Sequence, residues 1–432
     1  MNFKLSRYIV PSVVAMVVVG TNTNIDGFFI GNILGDDGLA AINIVWPIVA
    51  FIVSVGTGIG VGGSVLFNAR RGSRKMSEAE TAMNTTLVFL AAAGLFLSVL
   101  FPFLSERMLA FMGAEGAVLS HAHEYALVIG GGAVFQVAGA GLLVLLRNCG
   151  KAYQVMIYSV LGLAIHLVLD IFLAEPFGMA GVAAATVISQ LAVSVLSIIS
   201  LSPDRHVKAE LSLIPKLAAS ASAPFGLNFV PSLALLFTNY FALRAGGVAA
   251  VSAYAVMSYA VYTFDYIFQG ICDGVQPVIS YCMGADDKKG EARAMKTSAL
   301  ILAVSSALFC ALTPLMIKLM PGLFAVSDDA HRMMNTGFVI YAFSYPCKAA
   351  VKYVCSYYYS CGRTKLSNLI VYLDPLVLTP GLLLLLSELI GTNGVWLAMT
   401  SAQLILAVLG IAILLKTKRV PEKRKEMKGK NK

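Results

Sequence analysis

Residues 38–69 read GLAAINIVWPIVAFIVSVGTGIGVGGSVLFNA, thirty-two positions without one charged side chain. A helix needs only ~20 residues to cross ~30 Å of hydrocarbon, so this stretch is long enough to span a bilayer. Uncharged runs of similar character recur at residues 217–243, 297–317 and 395–415. Over all 432 residues, 58% are hydrophobic and 13% are charged. That charged share is about half the ~25% of soluble domains, too little to cover a water-soluble globule of this length. A soluble enzyme, a disordered chain and a single-anchor protein are excluded. The ~10-residue alternating strands of a membrane barrel are absent. The fold class is therefore all-α and polytopic.

Working outward, twelve spans are expected at about 8–30, 40–68, 82–103, 122–146, 153–173, 179–200, 217–243, 247–283, 296–317, 332–359, 366–387 and 392–415. Residues 8–19 are apolar but run on into Asp26 and a second span, so they form the first helix and not a cleaved signal. With the N-terminus inside, twenty-six of the 32 Lys and Arg fall on the cytoplasmic side. Arg107, Arg244, Lys318 and Arg332 fall outside, and Lys348 and Lys352 lie within a span. This imbalance puts both termini in the cytoplasm by the positive-inside rule. The net charge of +9 is thus chiefly a topology signal. The basic tail, residues 416–432, is expected against anionic lipid, and no nucleic-acid role is expected.

The chain repeats itself. At an offset of 212, Gly58-Ile59 faces Gly270-Ile271, Gly62 faces Gly274, Gly72 faces Gly284, Ala82-Met83 faces Ala294-Met295, and Cys149-Gly150 faces Cys361-Gly362. At 213, Pro11 faces Pro224, Gly181-Val182 faces Gly394-Val395, and Gln190 faces Gln403. Two homologous six-span halves in the same orientation follow, as in parallel-repeat transporters. The expected organisation is an N-terminal lobe over 1–203, a cytoplasmic linker over 204–216, a C-terminal lobe over 217–415 and the tail. Substrate would lie in a cleft between lobes, with alternating access if they rock.

Ionisable groups inside lipid are costly and mark candidate sites. Asp26 lies late in span 1 and Asp170 late in span 5, both on outward-running helices. His166 precedes Asp170 by four residues, on the same helical face, and Thr186 adds a hydroxyl from span 6. Paired carboxylates withdrawn from water suit uptake of a proton or Na⁺; for Asp26 the competing role is a boundary or cap position. The second half holds Asp265, Asp273, Lys348, Lys352 and Asp374. Lys348 and Lys352 share a face at i, i+4 and need carboxylates; Asp273 and Asp374 lie at similar depth. This set reads as a charge-compensated network joining helices, or as substrate contact. Glycines crowd span 2 and residues 130–132 interrupt span 4, while Pro11 can bend span 1.

Several motifs carry no chemistry. Gly58-Ile59-Gly60-Val61-Gly62-Gly63 matches G-x-G-x-x-G but lies inside an uncharged span without a βαβ context. His121-Ala122-His123-Glu124 offers one helical turn, too little for a metal shell. The seven cysteines include no C-x-x-C pair, so free thiols, no metal site and no cofactor are expected. No Walker A sequence is present, which argues against ATP as the energy source.

As a set, these residues resemble the multidrug and toxic compound extrusion (MATE) family of secondary transporters, in its prokaryotic DNA-damage-inducible-type branch. The resemblance is carried by Pro11, Asp26-Gly27-Phe28-Phe29-Ile30-Gly31, Leu34-Gly35, Leu39-Ala40-Ala41 and Gly58-Ile59-Gly60 through Gly72. It continues through Leu145-Leu146-Arg147-Asn148-Cys149-Gly150, Gly178-Met179-Ala180-Gly181, Ala185-Thr186 and Gly270-Ile271-Cys272-Asp273-Gly274-Val275-Gln276-Pro277 with Gly284-Ala285. It implies a V-shaped pair of six-helix lobes in a prokaryotic plasma membrane, exporting amphipathic or cationic organic compounds against H⁺ or Na⁺. It also implies a helix-1 bend at Pro11 and an N-lobe cation site at Asp26, Asp170 and Thr186.

The sequence departs from the family pattern in places. His166 stands where the family has Asn, and Asn22 where it often has a tyrosine. Lys348 and Lys352 occupy span 10, which carries an Asp in the Na⁺-coupled branch, and Asp374 replaces a basic residue common in helix 11. A C-lobe Na⁺ site is therefore not expected. The function expected is a cation-coupled multidrug antiporter, with H⁺ preferred over Na⁺ at Asp26 and Asp170, acting as a monomer. The alternative is a flippase for a lipid-linked or anionic amphipathic substrate, to which Lys348 and Lys352 would lend a basic cleft. An intramembrane enzyme is not expected, because no Ser/His/Asp or His/Glu constellation lies at matching depth.

Overall fold

The computed structural model describes residues 4–204, 206–324 and 327–429. Arg205 of the linker, and Lys430 and Lys432 of the tail, lie outside the described residues. Among the described residues there is no strand. In chain order the helices are α1 (Ser6–Gly72), α2 (Met76–Phe111), α3 (Gly116–Gly131), α4 (Ala133–Asn148), α5 (Ala152–Leu201), α6 (Ile214–Gly284), α7 (Lys288–Phe324), α8 (Asp328–Ala342), α9 (Ser344–Ser360), α10 (Thr364–Leu373) and α11 (Thr379–Gly429). A π-helical turn, Asp374–Leu378, joins α10 to α11.

The four longest helices are each broken once, by glycine. Gly35 (φ 61°, ψ −145°), Gly178 (φ 52°, ψ −129°), Gly247 (φ 65°, ψ −158°) and Gly391 (φ 60°, ψ −136°) take a conformation that a β-carbon forbids. With these breaks, and with α3–α4 and α8–α9 each counted as one span, the twelve expected spans occupy separate helical segments. The α3–α4 junction at Gly132 bends by 58°. Gly35 and Gly247 are 212 residues apart, and Gly178 and Gly391 are 213 apart, so the breaks repeat as the sequence does. The offset grows by one residue between Gly362 and Gly391, and the π turn lies in that interval. A π turn absorbs one extra residue within a helix, which accounts for the change of register.

By compactness the chain forms two units. Unit 1 comprises Met1–Leu233, Gln269–Met295 and Tyr359–Thr364. It holds all of the first half and the parts of the second half that pack on it. The packing relies on missing side chains and obeys the repeat. A β-carbon on Gly274 would stand 2.6 Å from Ile9 Cα, and one on Gly62 would stand 2.8 Å from Ala221 N. Likewise, Gly270 abuts Val13 and Gly58 abuts Phe225. Ile9 and Ala221, like Val13 and Phe225, are 212 residues apart. Helix backbones thus meet at the small residues that permit close approach. Pro11 lies between Ile9 and Val13, so at this offset its counterpart is Ala223 and not Pro224, with which sequence likeness pairs it; the backbone of α1 stays helical through it.

Unit 2 comprises Ala234–Phe268, Lys296–Tyr358 and Lys365–Lys432. Its interior is aromatic: Trp396 is fully buried and stacks on Tyr254 at 6.0 Å, and Phe264 stacks on Phe309 at 3.9 Å. Phe103, Phe172 and Phe343 are at least 70% exposed, as expected of surfaces turned to acyl chains and not to water.

Candidate functional site

Unit 1 gathers the first-half residues that the sequence singles out. Asp26 comes from α1, His166 and Asp170 from successive turns of α5, and Thr186 from α5 beyond its break at Gly178. The imidazole is the hub. Its Nε2 lies 2.9 Å from Asp26 Oδ1, 3.3 Å from Asp170 Oδ2 and 3.1 Å from Thr186 Oγ1. Asp26, His166 and Asp170 are all buried, Asp170 completely. The carboxyl oxygens of Asp170 have no hydrogen-bond donor among the described residues, and neither has His166 Nδ1 a partner.

A fifth residue joins them that sequence reasoning missed. Tyr125, buried on α3, donates from its hydroxyl to Asp26 Oδ2 at 2.8 Å. It supplies from another helix the phenol that Asn22 lacks. Nothing in the sequence marks it, because a tyrosine inside an apolar span is ordinary.

Chemically, this is a dry pocket in which two carboxylates and one imidazole share protons. With a proton on Nε2, His166 can turn its charge to either acid. Without it, two like charges face each other with the Tyr125 hydroxyl donating to Asp26 alone and the Thr186 hydroxyl turned to Nε2. One ligand atom from each of Asp26, His166 and Asp170 lies within 4.8 Å of the others, so the same set can also surround a small cation.

The second-half set divides. Lys352 Nζ pairs with Asp265 Oδ2 at 2.9 Å in unit 2. Asp374 accepts from Thr379 at 2.6 Å and from Gln403 at 2.7 Å. Asp273 does not join them. In unit 1 its Oδ2 pairs with Arg147 at 3.1 Å and its Oδ1 accepts from Gln269 at 2.8 Å. Both members of that ion pair are at least 94% buried. Depth along the sequence suggested that Asp273 would serve the lysines; the rotation of α6 instead turns it to α4. Lys348 makes no ion pair with a described residue and lines a recess in unit 2. At the repeat offset, Asp26, Tyr125 and Thr186 correspond to Thr238, Gly337 and Met399. Thr238 Oγ1 donates to the Ala234 carbonyl at 2.7 Å and lies 3.2 Å from Met399 Sδ, so the second half brings the same positions together without the acids.

A many-spanning all-α chain with buried acids inside a repeated scaffold defines a membrane transporter and not an enzyme. The family model described as MatE matches residues 11–172 and 226–378, once per half. The chain belongs to this family of transporters. Over 320 residues it is 25% identical to the probable multidrug resistance protein YoeA of Bacillus subtilis, covering 65% of this chain and 69% of that protein. It is 26% identical over 268 residues to the multidrug export protein MepA of Staphylococcus aureus, covering 59% of this chain and 58% of that one. The chain thus spans somewhat over half of MepA. Among solved structures, an outward-facing multidrug resistance MATE family transporter superposes with a TM-score of 0.88 at 21% identity, covering 98% of this chain and 96% of that one. A MOP superfamily transporter from Pyrococcus furiosus, described as having a binding pocket of reverse polarity, gives 0.87 at 21%, covering 94% and 93%. At these identities the structural likeness speaks for the fold alone.

Proposed function

We propose that this protein is a proton-coupled antiporter that exports small amphipathic or cationic organic compounds across a prokaryotic plasma membrane, with both termini in the cytoplasm. The observation that carries the coupling is the Asp26–His166–Asp170 cluster, tied by Thr186 and Tyr125 and closed from water. A site that binds its ion in one conformation and releases it in another drives exchange through its differential affinity. Protonation converts three competing groups into one bridged unit, and deprotonation restores the repulsion between acids. The imidazole favours H⁺ over Na⁺, because a hard cation of this size prefers oxygen donors alone and His166 Nε2 lies between the carboxylates. The multidrug names of YoeA and MepA support the substrate class. Bending of α1 at Pro11, between the positions that Gly274 and Gly270 touch, is the motion we assign to coupling.

Proteoliposomes of the purified protein, loaded with a pH-sensitive dye, test this directly. Adding a lipophilic cation is expected to drive proton movement, with Asp26→Asn and Asp170→Asn abolishing it. Undiminished exchange by Asp26→Asn, or transport that follows a Na⁺ gradient and ignores pH, overturns the proposal.

A further inference from the structure

Within unit 1, residues of the two halves meet in a pattern that the repeat lays out twice. Asn68 of α1 donates from its side-chain amide to the Asn148 side chain of α4. At the offset of 212 these residues become Ser280 of α6 and Ser360 of α9, and Ser280 Oγ donates to the Ser360 carbonyl at 2.9 Å. Those bonds hold each half to itself. Two equivalent contacts cross between the halves, and they differ in chemistry. Arg147 of α4 pairs with Asp273 of α6 at 3.1 Å. Their counterparts, Tyr359 of α9 and Val61 of α1, lie in one buried apolar cluster with Val65, Val144 and Ala223. Apolar side chains therefore suffice to close this position, and the ion pair is not needed to fill space. The charged side is also poorly satisfied. Arg147 Nε has no hydrogen-bond partner, and neither have Gln276 Oε1 and Ser64 Oγ, one turn along α6 and α1 from Asp273 and Val61.

We infer that Arg147 and Asp273 form a latch that closes the inner end of unit 1 and parts when the two halves separate there during transport. The inference rests on the alternating-access reading above and on the orientation proposed with it, but not on which ion is coupled. A buried ion pair roughly balances its attraction against the hydration its members have lost. When the halves part and water enters, each ion regains that hydration, so the opened state carries little penalty. An apolar contact has no such compensation, because exposing it costs about 25 cal/mol per Å². Two apolar contacts would hold the end shut. One of each kind keeps the shut and open states within reach of each other. The unpartnered Arg147 Nε, Gln276 Oε1 and Ser64 Oγ favour the same motion, since water supplies in the opened state the partners that the closed state lacks. Arg147 and Asp273 are thus positioning residues for transport.

The test is the rate at which a maleimide labels a thiol placed in the contact by Val65→Cys, in the full chain in nanodiscs without substrate or ion gradient. Peptide mass spectrometry reads residue 65 separately from the seven native cysteines. Cys355, fully buried in unit 2, reports any general loosening. Asp273→Asn and Arg147→Gln each leave one unpaired charge in the closed state, so residue 65 should label at least about tenfold faster with Cys355 unchanged. Asp273→Glu keeps the charge and should label near the wild-type rate. Joining Arg147→Tyr to Asp273→Val makes both contacts apolar, and residue 65 should then label several-fold slower than with the native pair. That comparison does not depend on the single variants folding. No proton moves in this assay, so its failure leaves the coupling proposed at Asp26 untouched. Unchanged labelling in the single variants, a parallel rise at Cys355, Asp273→Glu labelling as fast as Asp273→Asn, or a double variant as fast as the native pair overturns the inference.

Discussion

Replacing the buried Arg147–Asp273 pair with residues the protein already uses at the equivalent place should restore what either single change destroys. At the repeat offset of 212, Asp273 corresponds to Val61 and Arg147 to Tyr359. Val61 and Tyr359 lie in one buried apolar cluster in unit 1, each 2% exposed. The fold therefore joins the same two helix positions once by charge and once by packing. At 3.1 Å and an effective dielectric near 20, Coulomb attraction within the pair is about 5 kcal/mol, opposed by desolvation of both ions. Removing one partner strands a buried charge, at a cost of about 3–5 kcal/mol. Arg147 is badly placed to recover, since its Nε already lacks a partner. Asp273→Val and Arg147→Tyr should each incur that loss, whereas the double variant should fall within about 1–2 kcal/mol of wild type, as apolar replacements of buried pairs do. Unfolding free energies in mixed micelles, arranged as a double-mutant cycle, measure this. A double variant as unstable as the two losses added together would refute the reasoning, as would an Asp273→Val protein of wild-type stability.

Tyr125→Phe removes the one hydroxyl that donates to Asp26 Oδ2, a loss of about 1.5–3 kcal/mol for a bond to a charged acceptor; proton movement in the proteoliposome assay should slow at least several-fold while purified protein remains folded. Gly274→Ala pushes a β-carbon to 2.6 Å from Ile9 Cα, whereas Gly27→Ala meets nothing within 4 Å; only the first should lower the thermal midpoint. Gly178→Ala must hold φ near +52°, at about 1–3 kcal/mol, and Gly391→Ala should cost the same within error in the same unfolding measurement, because the two glycines are repeat equivalents.

The spans and the repeat could be read from the sequence because both are one-dimensional. Hydrocarbon thickness sets a run length, and an offset is a difference of residue numbers. Asp26, His166 and Asp170 were legible for a similar reason: carboxylates are rare inside spans, and i, i+4 fixes a shared face. Tyr125 was not, because which way α3 faces depends on helix rotation, and a uniformly apolar span carries no periodicity to set it. The same blindness assigned Asp273 to the lysines. Sequence position gives its depth but not its azimuth, and nothing in the sequence pairs Arg147, at a helix end, with an acid of the other half. The π turn at Asp374–Leu378 left a one-residue change of offset as its trace, which needs the backbone to interpret.

The two halves share a scaffold but not its chemistry, and the differences run in both directions. The acids of the first-half cluster have uncharged counterparts, Thr238 for Asp26 and, beyond the π turn, Leu383 for Asp170. Conversely, Asp265, Lys348, Lys352 and Asp374 of the second half correspond to Val53, Gln136, Ala140 and Gly162. Had both sets been structural struts, the repeat would give no reason for each half to carry its charges where the other is neutral. The glycine breaks and the glycine contacts show what the scaffold needs twice, and those features do recur. Charges that occur once, at positions where the duplicate packs well without them, are the ones that construction of the fold does not require. The unit 1 cluster is of that kind, whereas Asp374 keeps part of the repeated scaffold, since its partner Gln403 has Gln190 as its repeat equivalent.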